Sequence, residues 1–439
     1  MVAVSKLLNV AAIPGASIIR LALIISPHRN IIANRVEVST LLNSWKRVTE
    51  GVSLYQHGVS PYTGDVFHET PIALWIFNIM MTYFPSVIGI VFILCDIVTS
   101  IILYITAKLY MEEIKKKENA EKQSYADGVT ELLLGENDIK RAPRYVLSAY
   151  LFNPYIIANC VGFTTTTFGN MCLSCVFLGM VKGYRVLSCV ALAFSVYQSF
   201  YTVVLIVPVC IYLSRHDNNK SISLFLTLTT FLATLSAILY VSYIIIGDWS
   251  FLNSVYVVIL TVPDLRPNIG LFWYFFTEMF EHFRLLFIFS FQLNATLLYL
   301  APLSLRFHSN PMLLATSLTA LIAVFKSYPC LGDVGFYLSL LPLWKHLYNS
   351  KAVVPDMQQT FIILCSLVIT SVLGPTVWHL WIYSRSANAN FYFGVTLAFA
   401  TAQIFLITDV LFAYIKREFT LVKGIINTDD KKKMKLLLE

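Results

Sequence analysis

Long apolar segments that carry almost no charge constrain this chain more than any other feature of its sequence. Hydrophobic residues make up 57% of the 439 residues and charged residues only 13%, whereas about a quarter of a soluble domain is charged. The chain therefore has too little polar surface to cover a core in water, and the bilayer must be its solvent. We predict an all-α polytopic membrane protein with about twelve transmembrane helices. In chain order the apolar segments are 7–25, 86–107, 145–161, 168–181, 186–200, 201–213, 221–246, 284–304, 311–325, 333–348, 358–382 and 391–415.

The Lys and Arg residues predict how the chain is oriented. If the N-terminus is cytosolic and each apolar segment crosses the bilayer, most of the 32 basic residues lie on the cytosolic side, as the positive-inside rule requires. Both termini are then cytosolic. A single helix over 186–213, bent at Pro208, would invert every later loop and spoil this asymmetry, so we expect two helices there. The asymmetry also explains the net charge of +7 without a nucleic-acid partner.

This map makes residues 1–439 one multi-spanning membrane domain with polar segments on both sides. The outer segments are 26–85, 247–283 and 383–390, and the cytosolic ones are 108–144 and 416–439. Two apolar stretches in the outer segments, 72–84 and 251–262, are too short to span and are expected to lie in the interface. The cytosolic segment 108–144 mixes Lys with Glu, which favours a solvated helix or loop. The basic and apolar tail suits an anionic membrane surface or plain solvation.

Three acidic residues in the first outer segment are candidates for chemistry: Glu37, Asp65 and Glu69. A polyprenyl-phosphate sugar transferase needs a carboxylate base near the lipid phosphate, and carboxylates also bind divalent metals. The alternative is that these acids pair with neighbouring basic residues or lie in water. No metal or other cofactor is expected. A cysteine nucleophile is not expected either, because only Cys330 lies near a polar outer segment.

Aromatic and amide residues mark the other two outer segments. Five consecutive aromatics begin with Phe272 and Trp273, and Glu278 follows them. This surface could pack acyl chains or a partner helix, and Glu278 could meet amine or phosphate groups, although an aromatic belt at the interface also explains it. The last outer segment brings short amides and hydroxyls close together, which suits a lipid headgroup or a plain turn. Its candidates are His379, Ser386, Asn388 and Asn390.

Two charged residues, Asp96 and Lys326, fall in or beside apolar segments. Ionisable groups within a membrane are costly and often mark a function. The alternatives are a polar contact between helices for Asp96 and a side chain that reaches the interface for Lys326.

Four segments of the chain read SWKRVTEGVSLYQHGVSPYTGDVFHETP, VPDLRPNIGLFWYFFTEMFEHF, FKSYPCLGDVGFYLSLLPLWKHLY and WHLWIYSRSANANFYF. They closely resemble the PIG-U family, which is a subunit of the glycosylphosphatidylinositol (GPI) transamidase of the endoplasmic reticulum. The resemblance extends from about residue 35 to residue 423.

The resemblance implies a fold like that of the GT-C membrane glycosyltransferases, with its outer segments in the lumen. It implies a non-catalytic subunit that helps to hold the complex together and to present the GPI lipid, while the cysteine protease chemistry resides in another subunit. The expected partners are the other transamidase subunits, the GPI glycolipid and the membrane of the endoplasmic reticulum. On chemistry and position, we expect the lipid-facing residues to be Asn388, Asn390, Ser386, His379, Phe272, Trp273 and Glu278.

Two other functions remain open from the sequence. One is a dolichol-phosphate-sugar transferase that uses Asp65, Glu69 or Glu37 as its base. The other is a transporter, since charges such as Asp96 also occur in transporters, although no internal repeat is visible.

The orientation makes a prediction about glycosylation. Asn219 stands in an N-x-S sequon of a cytosolic loop, and Asn294 stands in a sequon inside a helix, so neither should carry glycan. Treatment of the cellular protein with an endoglycosidase should leave its gel mobility unchanged. Glycan on Asn219 would overturn the orientation.

Overall fold

The computed structural model describes residues 2–126, 129, 132–215, 217–348 and 357–424, and no strand occurs among them. The α-helices are α1 (Val2–Ile25), α2 (His28–Ala33), α3 (Trp45–Gln56), α4 (Pro71–Tyr83), α5 (Ile88–Glu121), α6 (Glu136–Leu151), α7 (Pro154–Val161), α8 (Thr166–Lys182), α9 (Arg185–Gln198), α10 (Ile206–Ser214), α11 (Lys220–Ile246), α12 (Ser250–Leu252), α13 (Val258–Thr261), α14 (Phe272–Glu278), α15 (Arg284–Thr296), α16 (Leu300–Arg306), α17 (Pro311–Phe325), α18 (Leu331–Leu340), α19 (Met357–Ile382) and α20 (Ala389–Lys423).

Short turns of other helix types join several of these elements. A π-helical turn, Asn253–Val257, makes α12 and α13 continuous. The 3₁₀ turns are Pro61–Thr63, Pro85–Val87, Lys122–Ser124, Phe200–Leu205, Glu281–Phe283 and Leu341–Tyr348.

Five helical stretches of the described chain are long and apolar enough to cross a membrane. Shorter apolar helices of 10–17 residues accompany them, and α4, α9 and α17 are examples. The all-helical prediction is therefore confirmed, while the full number of crossings stays a prediction. The five stretches are Pro85–Ser124, Lys220–Ile246, Glu281–Arg306, Thr360–Ile382 and Ala389–Lys423.

Three of the apolar segments are not single continuous helices, and each is interrupted near a proline. At the first interruption Asn153 has extended backbone, with φ −67° and ψ 119°, and its side chain accepts a hydrogen bond from the Tyr155 N–H at 3.0 Å. A proline disfavours helical backbone in the residue before it and lacks the N–H that a helix interior needs. The prolines are Pro154 in 145–161, Pro302 in 284–304 and Pro342 in 333–348.

The expected break in the middle of 186–213 is confirmed. Helix α9 ends at Gln198, and Ser199 is extended, with φ −141° and ψ 103°. The chain then resumes through a 3₁₀ turn into α10. Two separate helical segments therefore occupy this region, and the chain breaks at Ser199 rather than bending at Pro208.

The core forms where the central helices pack together. Helix α5 packs against α1, α6 and α8, while α9 packs against α8 and α11. Helix α17 is almost entirely buried and contacts α10, α18 and α20. Helices α19 and α20 pack against each other along the edge.

A buried ion pair joins α1 to α5 inside the core. Arg20 Nε donates to Asp96 Oδ2 at 2.9 Å, and the two side chains are 1% and 0% exposed. The Tyr150 hydroxyl donates to Asp96 Oδ1 at 3.2 Å, and Arg20 Nη1 donates to the Leu151 carbonyl at 2.9 Å. The charge of Asp96 is thus satisfied by a polar contact between helices. This contact is the alternative to a functional role that the sequence left open for Asp96.

The segment predicted to be cytosolic is less solvated than its composition suggests. Helix α5 continues to Glu121, and Glu118 is buried against Arg417 of α20. The second carboxylate oxygen of Glu118 accepts from the Leu134 N–H at 2.8 Å, and Arg417 also donates to the Leu132 carbonyl at 2.8 Å. The expectation of a simply solvated segment is therefore wrong here, because these charges pair across more than 280 residues of sequence. The tail beyond residue 424 lies outside the described residues.

Loss of Arg20 should destabilise the protein strongly. Arg20→Met leaves Asp96 charged and buried without its partner, which costs on the order of 3–5 kcal/mol. Replacing both residues, as Arg20→Met with Asp96→Leu, should recover most of that loss because no lone charge remains. Thermal unfolding of the detergent-purified protein measures both effects.

An exposed ion pair supplies the control for this experiment. Lys117 and Glu121 are 4.0 Å apart and largely exposed, so Lys117→Ala should cost less than about 1 kcal/mol. If Arg20→Met unfolds no earlier than Lys117→Ala, the buried pair does not stabilise the core.

Candidate functional site

Six aromatic side chains meet where α14 packs against the end of α19 and the start of α20. Trp273 lies over Trp381 with ring centroids 6.4 Å apart, and Tyr274 stacks on Phe393 at 4.4 Å. Rings in such offset contacts form a rigid surface with little conformational freedom. We call this group the aromatic cluster; its members are Trp273, Tyr274, Trp378, Trp381, Tyr392 and Phe393.

The two predicted amides lie at the edge of the aromatic cluster, and both are exposed. Asn388 is the N-cap of α20, and its side chain accepts a hydrogen bond from the Phe391 N–H at 3.2 Å. The Asn390 Oδ1 accepts from the Tyr274 hydroxyl at 2.7 Å. Each amide oxygen is thus fixed by the protein, which orients the amide group while its NH₂ stays available as a donor. The structure therefore places Asn390 beside the aromatic cluster that contains Trp273. This proximity is necessary if both residues face the same lipid, as the sequence predicts.

The remaining polar candidates lie around the same edge. Ser386 stands in the turn between α19 and α20, where its N–H donates to the Leu380 carbonyl at 2.9 Å. His379 is exposed near the end of α19, with its Nδ1 3.5 Å from the Ser384 hydroxyl. Arg385 takes left-handed backbone in this turn, at φ 55°, and Glu278 is exposed at the end of α14. Polar atoms therefore lie around the aromatic cluster.

Phe272 points to the opposite face of α14, away from the aromatic cluster. It is buried beside Phe276, and its ring lies 5.0 Å from that of Phe291 on α15. An apolar cavity of about 380 Å³ adjoins this face. We call it the lateral groove; its lining residues are Leu271, Phe272, Ser290, Phe291, Leu293, Asn294, Leu298 and Phe325. The outer face of α15 is exposed and apolar, so the lateral groove lies beside a surface suited to lipid.

The three acids of the first outer segment are in different environments. Glu37 is buried and pairs with Arg35 at 3.2 Å, whereas the Asp65 side chain is exposed. Glu69 is buried and accepts a hydrogen bond from the Thr165 hydroxyl. Within the part of the chain that the structure describes, no three His, Cys, Asp or Glu residues group as metal ligands would.

Glu69 lines a cavity of about 90 Å³ whose wall combines polar side chains with apolar ones. We call this cavity the outer chamber. Burial raises the pKa of Glu69 from 4.5 to about 7, although the hydrogen bond from Thr165 opposes the shift. His68 also lines the outer chamber, and burial lowers its pKa. Other polar lining residues are Thr40, Asn43, Thr165, Thr166, Asn170 and Gln198.

An ion pair in the wall of the outer chamber was missed by sequence reasoning. Lys326 Nζ lies 2.6 Å from Asp333 Oδ2, and both side chains are largely buried. Burial acts to lower the pKa of Lys326, but the Asp333 carboxylate outweighs it and raises the pKa. Lys326 therefore does not reach out to the interface. The sequence does contain one indication of this pair. Asp333 follows Lys326 by seven residues, across a turn that contains Pro329.

Cys330 lies between these two charged residues and is buried. Its Sγ donates to Asp333 Oδ2 at 3.2 Å, and burial raises the pKa of the thiol to about 12. A nucleophilic cysteine must be a thiolate. This thiol is protonated at neutral pH, which argues against covalent chemistry at Cys330.

A second polar cavity, of about 460 Å³, adjoins the outer chamber. Arg47 Nη2 lies 3.4 Å from Asp264 Oδ2, and Arg266 Nε lies 3.6 Å from the same oxygen. Thr40 and Tyr328 line both cavities. We call this second cavity the basic cleft, because it also contains Lys46.

Comparison with known proteins decides the family. A family model described as "GPI transamidase subunit PIG-U" matches residues 15–399. The chain belongs to the PIG-U family.

Relatives from animals and yeasts agree with this assignment. A Homo sapiens protein named "GPI-anchor transamidase component PIGU" is 39% identical over 420 residues, which cover 93% of this chain and 94% of the relative. The Schizosaccharomyces pombe "GPI transamidase component GAB1 homolog" is 29% identical over 380 residues, 86% of each chain. The Saccharomyces cerevisiae protein "GPI transamidase component GAB1" is 27% identical over 387 residues, 88% of each. The resemblance to the PIG-U family seen in the sequence is confirmed over nearly the whole chain.

The buried carboxyl of Glu69 makes a prediction about pH. An unfolded carboxyl loses its proton near pH 4.5, whereas folded Glu69 keeps it to about pH 7. The free energy of unfolding should therefore fall between these two pH values, by on the order of 3 kcal/mol. Glu69→Gln is uncharged at every pH, so its unfolding temperature should rise relative to that of the wild type as the pH goes from 5 to 8.

Asp65→Asn is the matched control, because the side chain of Asp65 is exposed on the same loop. Its unfolding temperature should follow that of the wild type across the range. A difference between Glu69→Gln and the wild type that stays constant with pH would show that Glu69 is not protonated in the folded protein.

Proposed function

We propose that this PIG-U family member is a non-catalytic subunit of the GPI transamidase of the endoplasmic reticulum, which binds and presents the GPI lipid. The family model and the relatives' names support the assignment to that complex. The other transamidase subunits and the GPI glycolipid are then its partners. The protease chemistry belongs to another subunit.

The observation that carries this proposal is the two-sided character of α14. One side places Trp273 and Tyr274 in the aromatic cluster, beside the exposed amide of Asn390. The other side places Phe272 against the lateral groove. A glycolipid has the same division, with hydrogen-bonding groups at the membrane surface and hydrocarbon below it.

The polar groups beside the aromatic cluster are those that a phosphate-bearing headgroup needs. We call them the polar edge; they are Asn388, Asn390, Ser386, His379, Arg385 and Glu278. The amides of Asn388 and Asn390 can donate to phosphate and hydroxyl oxygens, and the hydroxyl of Ser386 can donate or accept. His379 and Arg385 stand in the same turn region and suit an anionic group. Glu278 is suited to the amine of ethanolamine. The acyl chains would lie in the lateral groove along α15.

A catalytic role for this chain has less support. The pKa of the Cys330 thiol is raised to about 12, which disfavours a thiolate. Glu37 is paired with Arg35, and Asp65 and Glu69 differ in burial, so these acids do not form one catalytic group. The relatives are named as transamidase components, which gives the sugar transferase alternative no support. The transporter alternative is weakened because the charge of Asp96 is satisfied by Arg20.

The proposal includes a membrane architecture like that of GT-C enzymes, with about twelve crossings and both termini cytosolic. Helix α4 has 13 residues, about 20 Å at 1.5 Å per residue, whereas a bilayer core is about 30 Å thick. It suits an interfacial position in the lumen, as does the helical stretch from Ser250 to Thr261. The luminal segments would be 26–85, 247–283 and 383–390.

Variants at the polar edge test the proposal. Asn388→Asp and Asn390→Asp remove the amide donors and add a negative charge that repels phosphate. The acidic side chain at 388 still caps α20, so the fold should survive. In cells that lack this chain, both variants should restore several-fold less of a GPI-anchored surface reporter than the wild type does. Uncleaved reporter and complete GPI lipid should accumulate.

Asn219→Asp is the matched control. Asn219 also caps a helix with its side chain, on α11, but it lies outside the polar edge, and its variant should restore the reporter fully. Lipid extraction from the same cells identifies the step that fails. A truncated GPI intermediate in cells without this chain would mean that the protein adds a sugar, and the subunit role would be wrong.

A further inference from the structure

Parts of the chain that are distant in sequence enclose the outer chamber. Loop residues, α8, α9, α17 and the region around Lys326 all contribute to its wall. Its volume of about 90 Å³ exceeds the roughly 10–15 Å³ that one water occupies by several-fold. A glycine helps to keep it open, because a Cβ at Gly169 would lie 3.0 Å from the amide oxygen of Gln198.

The charged groups in the wall leave the outer chamber close to neutral. Lys326 and Asp333 cancel each other in a direct ion pair. Glu69 holds its proton to about pH 7, and burial lowers the pKa of His68. An isolated anion or cation would therefore find no free counter-charge here. The apolar part of the lining can pack against the C–H faces of a ring.

Hydroxyl and amide groups make up most of the remaining polar lining. Asn170 Nδ2 donates to the Gly332 carbonyl and Gln198 Nε2 donates to the Thr165 carbonyl, which fixes the two amides. Ser199 and Thr202 add further hydroxyls. Groups that both donate and accept suit a ligand that also does both, as the hydroxyls of a sugar or a cyclitol do.

One buried hydroxyl in the wall has no partner. The Ser195 Oγ makes no hydrogen bond within the described structure, and the residue is 2% exposed. A buried polar atom left unpaired costs on the order of 1–3 kcal/mol, so a ligand or water is expected to satisfy it. A second serine on the same helix, Ser188, is equally buried but donates to the Tyr184 carbonyl and lies outside the chamber wall.

The basic cleft adjoins the outer chamber. Thr40 and Tyr328 line both spaces, and the Tyr328 hydroxyl donates to the Asp264 carbonyl at 2.9 Å. If a bound headgroup carries a phosphate, the phosphate could lie near Arg47 and Lys46 in the basic cleft while the ring lies in the outer chamber.

We propose that the outer chamber binds a neutral polyol ring, a cyclitol or a hexose, through its hydroxyl and amide lining and the Ser195 hydroxyl. This site is distinct from the polar edge at α14, so ring binding does not depend on the proposed function. The ring can come from a glycolipid headgroup or from a free sugar or cyclitol, and the two sources share the chemistry that the chamber recognises.

Saturation-transfer NMR on the detergent-purified complex that contains this chain tests the proposal. The probes are myo-inositol and methyl α-mannoside, and betaine serves as a polar compound without hydroxyls. At least one ring should receive saturation from the wild-type complex while betaine receives none. Ser195→Ala should weaken the apparent affinity about fivefold, as expected for one lost hydrogen bond. Ser195→Val, which extends a branched apolar side chain into the chamber, should remove the signal.

Ser188→Ala is the matched control and should bind the ring as the wild type does. The absence of a ring signal above that of betaine would overturn the proposal. Equal signals from Ser195→Val and Ser188→Ala would also overturn it, since the ring would then bind elsewhere. Unchanged unfolding temperatures of the Ser195 variants would show that a lost signal is not a loss of fold.

Competition identifies the source of the ring. Displacement of the bound ring by phosphatidylinositol in mixed micelles would assign the chamber to a lipid headgroup, and failure to displace it would assign the chamber to a free ring. Asn388→Asp should keep the ring signal even where it abolishes reporter anchoring. Failure of the proposed function and failure of the chamber proposal are therefore distinguishable.

Discussion

A charge removed from water must find a partner inside the protein, and this requirement organises the whole helix bundle. Asp96 and Glu118 lie on the same helix, α5, about 33 Å apart at 1.5 Å per residue, which is close to the thickness of a bilayer core. Asp96 binds α5 to α1 through Arg20, and Glu118 binds it to α20 through Arg417. Each pair joins segments that are distant in sequence, so the pairs specify which helices become neighbours.

The same requirement shapes the outer end of the bundle. Lys326 and Asp333 neutralise each other in the chamber wall, where hydroxyls and amides accompany the Glu69 carboxyl and the His68 imidazole. The aromatic cluster lies away from the chamber, and the exposed amides of Asn388 and Asn390 lie at its edge. The molecule therefore offers two kinds of polar surface, one enclosed and neutral and one open and flanked by an apolar groove.

The sequence predicted the membrane class and the helical fold because both follow from the amounts of apolar and charged residues. It also located the segments of the polar edge, because Trp273 and Asn390 belong to long motifs that resemble the PIG-U family. It could not separate Asp65 from Glu69, since both stand in one irregular loop and their spacing gives no information on which carboxyl turns inward. The helix interruptions near Pro154, Pro302 and Pro342 were not predicted, because each falls within a continuous apolar segment of the sequence. The pairing of Lys326 with Asp333 depends on a turn whose geometry no periodicity describes.

Helix α20 extends over 35 residues, about 52 Å, and no proline interrupts it. Asn388 caps one end, and Arg417 is anchored near the other. A continuous helix is stiff along its axis, so this element acts as a lever between its two ends. A change of tilt imposed at the Arg417 end must displace the amides of Asn388 and Asn390 at the far end. The position of the polar edge is thus mechanically coupled to the contacts that Arg417 makes with Glu118 and the Leu132 carbonyl.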